Sequence, residues 1–179
     1  MKINWREVLI IILIFVVVFA AVHFSVQSFR VDGPSMLPSF HQGEFLMVNK
    51  LTYHFSSPHR GDVIIFWPPK PPVASQYPFI KRVIGIPGDL VEVKDGQVHV
   101  NGSLLDETPD KSLSRNDISV LVEKDHYFVM GDNRGNSSDS TGGWTVPRDN
   151  IIGKSWLIYW PLSDWGLSPK YSYEFATTA

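Results

Sequence analysis

The feature that most constrains this chain is an uncharged, largely apolar run near its N-terminus. No formally charged side chain occurs in residues 8–29, and residues 9–22 are wholly apolar. A helix needs about twenty apolar residues to cross a bilayer, so the run predicts one N-terminal transmembrane helix. Lys2 and Arg6 precede it. The positive-inside rule therefore predicts a cytoplasmic N-terminus, with everything after Arg30 on the extracytoplasmic side of the plasma membrane.

A cleavable signal peptide is the alternative interpretation of this run. A basic start and an apolar centre fit such a peptide, and Val18-Phe19-Ala20 is compatible with a cleavage site. The apolar run continues past Ala20 through Ala21 and Val22, however, which favours a retained anchor. A buried helix of a soluble protein fits less well, because the run lacks a polar face.

The composition narrows the class of protein. A chain of 179 residues with 44% hydrophobic and 19% charged residues can form a packed core, and one domain is expected. A net charge of -2 argues against a nucleic-acid partner, because such a protein needs a basic patch to neutralise phosphates. The chain has no cysteine, which excludes disulfides, thiolate catalysis and cysteine-ligated zinc. We find no sequence pattern for a cofactor or a metal ion.

The region after the apolar run is rich in turn residues and poor in helical periodicity. The Asp95-Gly96 pair between two apolar runs predicts a hairpin with a type I′ turn. Many short strands separated by Gly and Pro indicate an all-β fold, mainly antiparallel and barrel-like. The predicted strands are residues 44–50, 62–67, 79–86, 90–94, 97–100, 126–130 and 151–160.

The stretch GPSMLPSF presents Ser35 between a proline and a methionine, and a nucleophilic serine needs a base. None of the six histidines has an acidic residue arranged around it in a recognisable pattern. Lys81 and Arg82 lie within an apolar strand, where neighbours face opposite sides, so one of them points inward or toward a cleft. Desolvation lowers a lysine pKa, and a neutral amine can deprotonate serine. An edge strand with protective charges is the alternative explanation of this pair.

Four motifs of the sequence together resemble those of a known family. The segments GPSMLPS, RGDVIIF, KRVIGIPGD and GDNRGNSSDS follow one another behind a single membrane segment. In this order they resemble the bacterial type I signal peptidases of the peptidase S26 family, from about Trp5 to Leu167. The resemblance implies a membrane-anchored serine endopeptidase that removes signal peptides from exported preproteins after small-x-small sites. It also implies that Ser35 is the nucleophile and Lys81 the general base.

The same resemblance assigns supporting roles. It implies that Ser137 hydrogen-bonds the Lys81 amine and that Asp139 supports the wall around that amine. Two positions depart from the family pattern. Thr141 stands where the family often has an arginine paired with the aspartate, and Gly33 stands where some members have an oxyanion-binding serine. The oxyanion would then depend on backbone N–H groups, chiefly that of Ser35, and Gly33 would allow the required backbone conformation.

Sheet physics suggests how such a substrate would bind. An extended peptide can add as a strand beside Val31-Asp32-Gly33 and Phe79-Ile80, where main-chain hydrogen bonds tolerate many sequences. The expected shallow pockets would be lined by the side chains of Val31, Met36 and Ile80. Such pockets would accept only small residues near the cut.

The predicted organisation has four parts. These are a cytoplasmic stub and anchor at residues 1–29, a catalytic β core at residues 30–90 and 125–167, a small β cap at residues 91–124, and a flexible tail at residues 168–179. The expected partners are preprotein signal peptides, membrane lipid and the secretion machinery.

Other classes of protein remain open at this point. A membrane-tethered β-barrel binding module would explain the anchor and the strands without requiring Ser35 and Lys81. An inactive peptidase homologue is compatible with Thr141. An autoprotease of the repressor type would share the catalytic logic, but no basic helix-turn-helix precedes Ser35.

Overall fold

The computed structural model describes residues 4–71, 73, 75–105 and 117–171, and its first element is the predicted apolar helix. Helix α1, Trp5–Ser25, has a mean hydropathy of 3.0 and no buried residue in its most apolar window. At 1.5 Å per residue its 21 residues extend about 31 Å, close to the hydrocarbon thickness of a bilayer. Among the described residues it is the one helix long and apolar enough to span a membrane.

The helix ends before residue 29, where the sequence placed the end of the anchor. Val26 adopts an extended backbone, and residues 26–30 form a strand instead. The Lys50 amide donates to the Ser25 carbonyl at 2.9 Å, so the last helical residue is already fixed to the sheet. The β-branched start of this segment and its pairing partner override the apolar pattern that continued the helix.

Twelve strands and one further short helix, α2, follow in the described residues. Helix α2 is Thr52–Phe55. The strands are β1 Val26–Arg30, β2 Phe45–Asn49, β3 Val63–Phe66, β4 Phe79–Gly85, β5 Leu90–Lys94, β6 Gln97–Val100, β7 Ser103–Leu104, β8 Ile118–Leu121, β9 His126–Met130, β10 Val146–Pro147, β11 Ile151–Trp160 and β12 Gly166–Leu167. Single 3₁₀ turns lie at Arg134–Asn136, Ser140–Gly142, Arg148–Asn150 and Leu162–Asp164.

The strands form two antiparallel sheets, which confirms the all-β prediction. The larger sheet has the order β1-β2-β11-β3-β4-β9-β10, with β12 paired to β11. The smaller sheet has the order β7-β6-β5-β8 and contains the predicted hairpin. Asp95 and Gly96 both have positive φ angles, 50° and 78°, as a type I′ turn requires. Strand β8 was not predicted, and residues 106–116 lie outside the described residues.

Buried side chains fill the space on both faces of the large sheet. One cluster, which includes Val31, Met36 and Phe40, packs on one side of β3. A second cluster, which includes Ile64 and Phe66, packs on the other side. All four residues of β3 are buried, so a side chain on either face of the neighbouring strand β4 is also removed from water.

The chain after β12 packs against the body, contrary to the prediction of a flexible tail from residue 168. Ser168 is buried, and its hydroxyl lies 2.6 Å from that of Ser155 on β11. Its amide donates to the Trp156 carbonyl at 2.9 Å. Hydrogen bonds to a hydroxyl and to a carbonyl hold this segment against the sheet. The prediction was based on the weak apolar pattern of the segment, which does not reveal such bonds. Residues 172–179 of the predicted tail lie outside the described residues.

Candidate active site

Strand β4 supplies the lysine of the site. Its register pairs Lys81 with Ile64 and Arg82 with Val63 on β3, so the two basic side chains leave opposite faces of the sheet. The sequence predicted that one of them points inward, but both are buried: Lys81 is 4% exposed and Arg82 is 0% exposed. Both are buried because packed side chains cover both faces of β3 and β4.

The serine lies in the loop between β1 and β2. Local turns fix this loop, since the Leu37 amide donates to the Pro34 carbonyl at 3.1 Å and the Phe40 amide donates to the Met36 carbonyl at 2.9 Å. Asn133 holds the loop from outside. Its amide donates to the Ser35 carbonyl at 3.0 Å, and its side-chain Nδ2 donates to the Pro34 carbonyl at 3.1 Å.

These two elements bring the serine and the lysine together. The Lys81 Nζ lies 2.7 Å from the Ser35 Oγ and 2.8 Å from the Ile80 carbonyl oxygen. Burial lowers the pKa of Lys81 from 10.5 to about 8, and the nearby charges of Asp139 and Asp132 oppose this effect. A large fraction of the amine is therefore neutral in mildly alkaline solution, and its lone pair can then accept the serine proton.

The histidines are placed elsewhere. His41 lies 3.2 Å from Glu44, and His59 lies 3.9 Å from Asp62. His126 contacts the carbonyl of Lys124 at 3.0 Å. Within the described ranges, Lys81 is the one titratable side chain hydrogen-bonded to Ser35.

Ser137 lies beside Gly131, as Ser35 does, but it does not make the expected hydrogen bond to the Lys81 amine. Its Oγ is buried and has no hydrogen-bond partner among the described residues, whereas the Lys81 amine bonds Ser35 and Ile80 instead. A Cβ on Gly131 would overlap both the Ser137 Oγ and the Ser35 carbonyl oxygen. Glycine at this position therefore allows the two serines to approach the same backbone segment.

Asp139 is held without the arginine of the family pattern. Its Oδ2 accepts from the Gly131 amide at 2.9 Å. Its Oδ1 accepts from the Thr141 amide at 3.1 Å and from the Thr141 hydroxyl at 2.8 Å. The carboxylate thus caps the 3₁₀ turn Ser140–Gly142 and fixes the segment that follows β9. Thr141 thus holds Asp139 through its amide and hydroxyl, at the position where the family pattern often has an arginine.

A groove of about 720 Å³ opens in front of the dyad. Among the predicted substrate contacts, Val31, Asp32, Phe79 and Ile80 line it, together with Gly33. Met36 does not line it and is fully buried in the core, which corrects that prediction. The side chain of Met36 fills space beneath the serine loop because an apolar residue gains more by leaving water.

The backbone at the groove is suited to receive a peptide. Gly33 has a φ of +84° and open space where a side chain would be. The Ser35 amide has no hydrogen-bond partner in the part of the chain that the structure describes. On β4, Val83 bonds the Gly61-Asp62 turn beside β3, so by alternation Ile80 directs its backbone polar groups to the opposite side.

That opposite side of β4 is only partly covered. Pairing with β9 begins at Arg82, which is opposite Met130, and continues to Gly85. On this side Phe79, Ile80 and Lys81 have no paired strand among the described residues, and they border the groove. The structure therefore combines a serine, a buried lysine, a free amide and an open strand edge.

Comparison with known proteins identifies the family. The family model described as signal peptidase, peptidase S26, matches residues 3–160. The chain belongs to this family. It is similar to signal peptidase I of Leptolyngbya laminosa, with 40% identity over 84% of this chain and 77% of the relative. It is also similar to signal peptidase I U of Bacillus subtilis, with 32% identity over 89% of this chain and 91% of the relative.

A solved structure is also similar. The crystal structure of a signal peptidase I from Enterococcus faecalis has a TM-score of 0.46 and 29% identity, and the match covers 55% of this chain and 97% of that one. Membership in the family makes the chain a membrane-anchored serine peptidase, a hydrolase that removes signal peptides. The apolar helix α1 is consistent with the anchor.

The sequence did not indicate the contacts through which two further residues shape the site. Asn133 holds the serine loop through both of its donors, and Gly131 makes room for that loop. Both belong to the GDN triplet of the quoted motif, next to Asp132. A Gly-Asp-Asn run is typical of turns, which is why its contacts with a loop about a hundred residues away were not foreseen.

Proposed function

We propose that this chain cleaves signal peptides from exported preproteins with a Ser–Lys dyad, in which Ser35 is the nucleophile and neutral Lys81 is the general base. The observation that carries the proposal is the 2.7 Å distance between Lys81 Nζ and Ser35 Oγ at a lysine only 4% exposed. Burial favours the neutral amine, and the short distance permits direct proton transfer.

Acylation begins when Ser35 Oγ attacks the scissile carbonyl carbon and its proton moves to Lys81 Nζ. The resulting ammonium then gives that proton to the leaving amine as the peptide bond breaks. This step releases the mature protein and leaves the signal peptide as an ester on Ser35. In deacylation, Lys81 takes a proton from water, the hydroxide attacks the ester, and Ser35 Oγ regains a proton.

The oxyanion that forms at each step needs donors fixed in advance. The Ser35 amide, which has no partner among the described residues, is the donor that we assign to it. Gly33 lies two residues before Ser35, and its positive φ angle supports the required backbone path. Donors that are fixed before reaction commonly contribute on the order of a hundredfold in rate.

We assign Ser137 and Asp139 supporting roles. The Ser137 Oγ is buried and has no hydrogen-bond partner among the described residues. The neutral Lys81 amine has two N–H groups and one lone pair. When the lone pair accepts from Ser35 and one N–H donates to the Ile80 carbonyl, the second N–H needs an acceptor. In this proposal Ser137 is that acceptor when substrate closes the groove. Asp139 holds the segment between Gly131 and Thr141 in the position that this contact needs.

Substrate would enter the groove as an added strand. The open edge at Phe79 and Ile80 and the backbone of Asp32 and Gly33 face this groove, so an extended peptide between them gains main-chain hydrogen bonds. Val31 and Ile80 would limit the side chains near the cut to small ones. This arrangement favours cleavage after small-x-small sites such as Ala-x-Ala.

We also propose the division of the chain and its orientation. Residues 1–29 anchor the enzyme with a cytoplasmic N-terminus, residues 30–90 and 125–167 form the catalytic core, and residues 91–124 form a cap. The catalytic core would lie on the extracytoplasmic face, in contact with membrane lipid and within reach of the secretion machinery. Lys2 and Arg6 before the apolar run support this orientation.

The decisive test measures cleavage of a preprotein with an Ala-x-Ala site by the full chain in detergent micelles. We expect kcat/KM to rise with pH and to reach half its maximum near pH 8, the pKa of Lys81. Lys81→Ala should lower the rate by about a thousandfold or more, because general base catalysis is removed. Lys124→Ala, which changes an exposed lysine, serves as the matched control and should retain full activity.

Two results would contradict the proposal. Cleavage that persists in Lys81→Ala would eliminate the lysine as the base. Absence of cleavage by the unaltered chain, together with no labelling of Ser35 by a serine-reactive probe, would favour a binding module or an inactive homologue. In the same assay, equal cleavage of substrates with Ala or Leu beside the cut would refute the small-residue pockets.

A further inference from the structure

The guanidinium of Arg82, next to the dyad lysine, has every donor occupied. An arginine side chain carries five N–H donors. Two of them bind the Asp132 carboxylate at 2.8 and 2.6 Å, and a third donates to the Gly61 carbonyl at 2.9 Å. The remaining two reach the Pro169 carbonyl at 3.1 Å and the Ser39 Oγ at 3.5 Å.

Part of this arrangement comes from the segment after β12, residues 168–171, which we call the C-terminal strap. The strap supplies the Pro169 carbonyl and also the ring of Tyr171, whose centroid lies 4.3 Å from the Arg82 Cζ. The Tyr171 hydroxyl lies 3.2 Å from the Ser39 Oγ. The strap therefore covers one face of the guanidinium and completes its hydrogen bonds.

The strap connects the two elements that carry the dyad. Through Arg82 it contacts the residue that follows Lys81 on β4, and through Ser39 it contacts the loop that carries Ser35. Its own base is fixed, because Ser168 bonds both Ser155 and Trp156 on β11. The strap therefore contacts strand β11, strand β4, which carries Lys81, and the loop that carries Ser35.

We propose that the C-terminal strap positions the Ser35–Lys81 pair, with Tyr171 as the positioning residue. This inference rests on the proposed function of the dyad. The strap lies beyond residues 3–160, the part of the chain that matches the family model. Tyr171 acts through Arg82 and Ser39, and it is not itself a catalytic residue.

The geometry predicts which kinetic constant responds. No residue of the strap lines the groove in front of the dyad, so loss of the strap contacts should leave substrate binding intact. The serine loop and the lysine strand would lose a shared contact, and the distance between nucleophile and base would become less well defined. Small errors in such a distance lower the rate of the chemical step strongly.

The experiment compares full-length Tyr171→Leu and Tyr171→Phe in the preprotein assay. Tyr171→Leu removes both the stacked ring and the hydroxyl, and we expect kcat to fall about tenfold with KM unchanged. Tyr171→Phe keeps the ring over Arg82 but removes the contact with Ser39, so it should recover part of the lost activity. A merely structural role would give equal losses in stability and activity without this recovery.

Tyr159 offers a matched control. Its hydroxyl also bonds a serine, Ser28, at 2.7 Å, and its ring contacts Phe45, but neither partner belongs to the dyad elements. Tyr159→Leu and Tyr159→Phe should leave kcat unchanged even if they lower the melting temperature. A fall in kcat of the same size in the Tyr159 variants would overturn the proposal.

A second measurement does not depend on activity. Hydrogen exchange of the Leu37 and Phe40 amides, which are bonded within the serine loop, reports how firmly that loop is held. These amides should exchange faster in Tyr171→Leu than in the unaltered chain or in Tyr159→Leu. Unchanged exchange would overturn the inference even if the chain cleaves preproteins. Faster exchange in a chain that cleaves nothing would support the strap and refute the proposed function.

Discussion

The two faces of strand β4 provide opposite surroundings for a buried basic side chain. On one face, Lys81 has a hydroxyl and a carbonyl as partners, and no carboxylate lies within ion-pair distance among the described residues. On the other face, Arg82 is fully buried and bound at two points by Asp132. The neighbours share their strand, their burial and their formal charge, so the difference lies in what surrounds each side chain.

The difference follows from what each side chain can do when it leaves water. A guanidinium stays protonated at any ordinary pH, so burial requires a counter-ion and a partner for each donor. An ammonium can give up its proton, so burial without a counter-ion produces a base. One face of the strand therefore stabilises a charge, whereas the other removes one.

The largest expected effect comes from breaking the Arg82 face. Arg82→Met leaves the Asp132 carboxylate buried and unpaired, which typically costs about 3–5 kcal/mol of unfolding free energy. Chemical denaturation of the soluble region, within the full chain in micelles, measures this loss. The double variant Arg82→Met with Asp132→Leu should regain much of it, because no charge then remains in the interior.

The ion pair between Lys154 and Asp62 provides the comparison for that loss. The Lys154 side chain is partly exposed, and the Asp62 carboxylate would keep the Tyr53 hydroxyl and the His59 amide as donors when the lysine is replaced. Lys154→Met should therefore cost less than Arg82→Met. An equal cost for both variants would mean that burial does not govern the stability of these pairs.

The Lys81 face should respond to replacement in the opposite direction. Its pKa falls from 10.5 to about 8, which at 1.36 kcal/mol per pH unit corresponds to about 3 kcal/mol of stability lost below pH 8. Between these two values the unfolded chain holds more protons than the folded chain, so stability rises with pH. Lys81→Met should therefore stabilise the fold by an amount on the order of 1–3 kcal/mol below pH 8.

This stabilisation should disappear at high pH, where the lysine is neutral in both states. Denaturation of Lys81→Met and the unaltered chain at about pH 7 and about pH 10.5 separates the two regimes. The variant should also be inactive, so stability and activity move in opposite directions. An advantage that is the same at both pH values would show that packing, not the charge, is responsible.

Much of the strand structure could be predicted from local patterns, because alternation and turn chemistry act over short distances. The hairpin at Asp95 and Gly96 and the long strand β11 are formed as expected. The edge strand β1 was missed, because its apolar residues continue the pattern of the preceding helix. Its pairing with β2 is a tertiary contact that periodicity does not encode.

The same distinction between local patterns and tertiary contacts applies to the residues of the candidate site. Ser35 and Lys81 drew attention because each departs from its local background, a framed serine in one case and a charge within an apolar strand in the other, and the family resemblance then assigned their roles. The contacts around them could not be predicted in this way. Asp132 meets Arg82, and Asn133 meets Ser35, only after the chain has folded. Tyr171 lies in a segment with little apolar pattern, so its contact with Arg82 left no local signal.

The smallest expected effect tests how a nearby carboxylate influences Lys81. Asp139 raises the pKa of Lys81 by its charge, opposing the larger effect of burial. Asp139→Asn removes that charge, while its amide oxygen can still accept from the Gly131 amide. The midpoint of the rise in kcat/KM with pH should therefore move to lower pH. This is the direction expected for a base that loses a nearby negative charge.

Asp149→Asn changes an exposed carboxylate on a 3₁₀ turn and is the matched control, for which the midpoint should not move. A midpoint that moves to higher pH in Asp139→Asn would mean that the variant has let water reach Lys81. In that case the contacts of Asp139 with Gly131 and Thr141 would matter more to the lysine than the charge does. The sign of one pH shift thus distinguishes an electrostatic role of this carboxylate from a structural one.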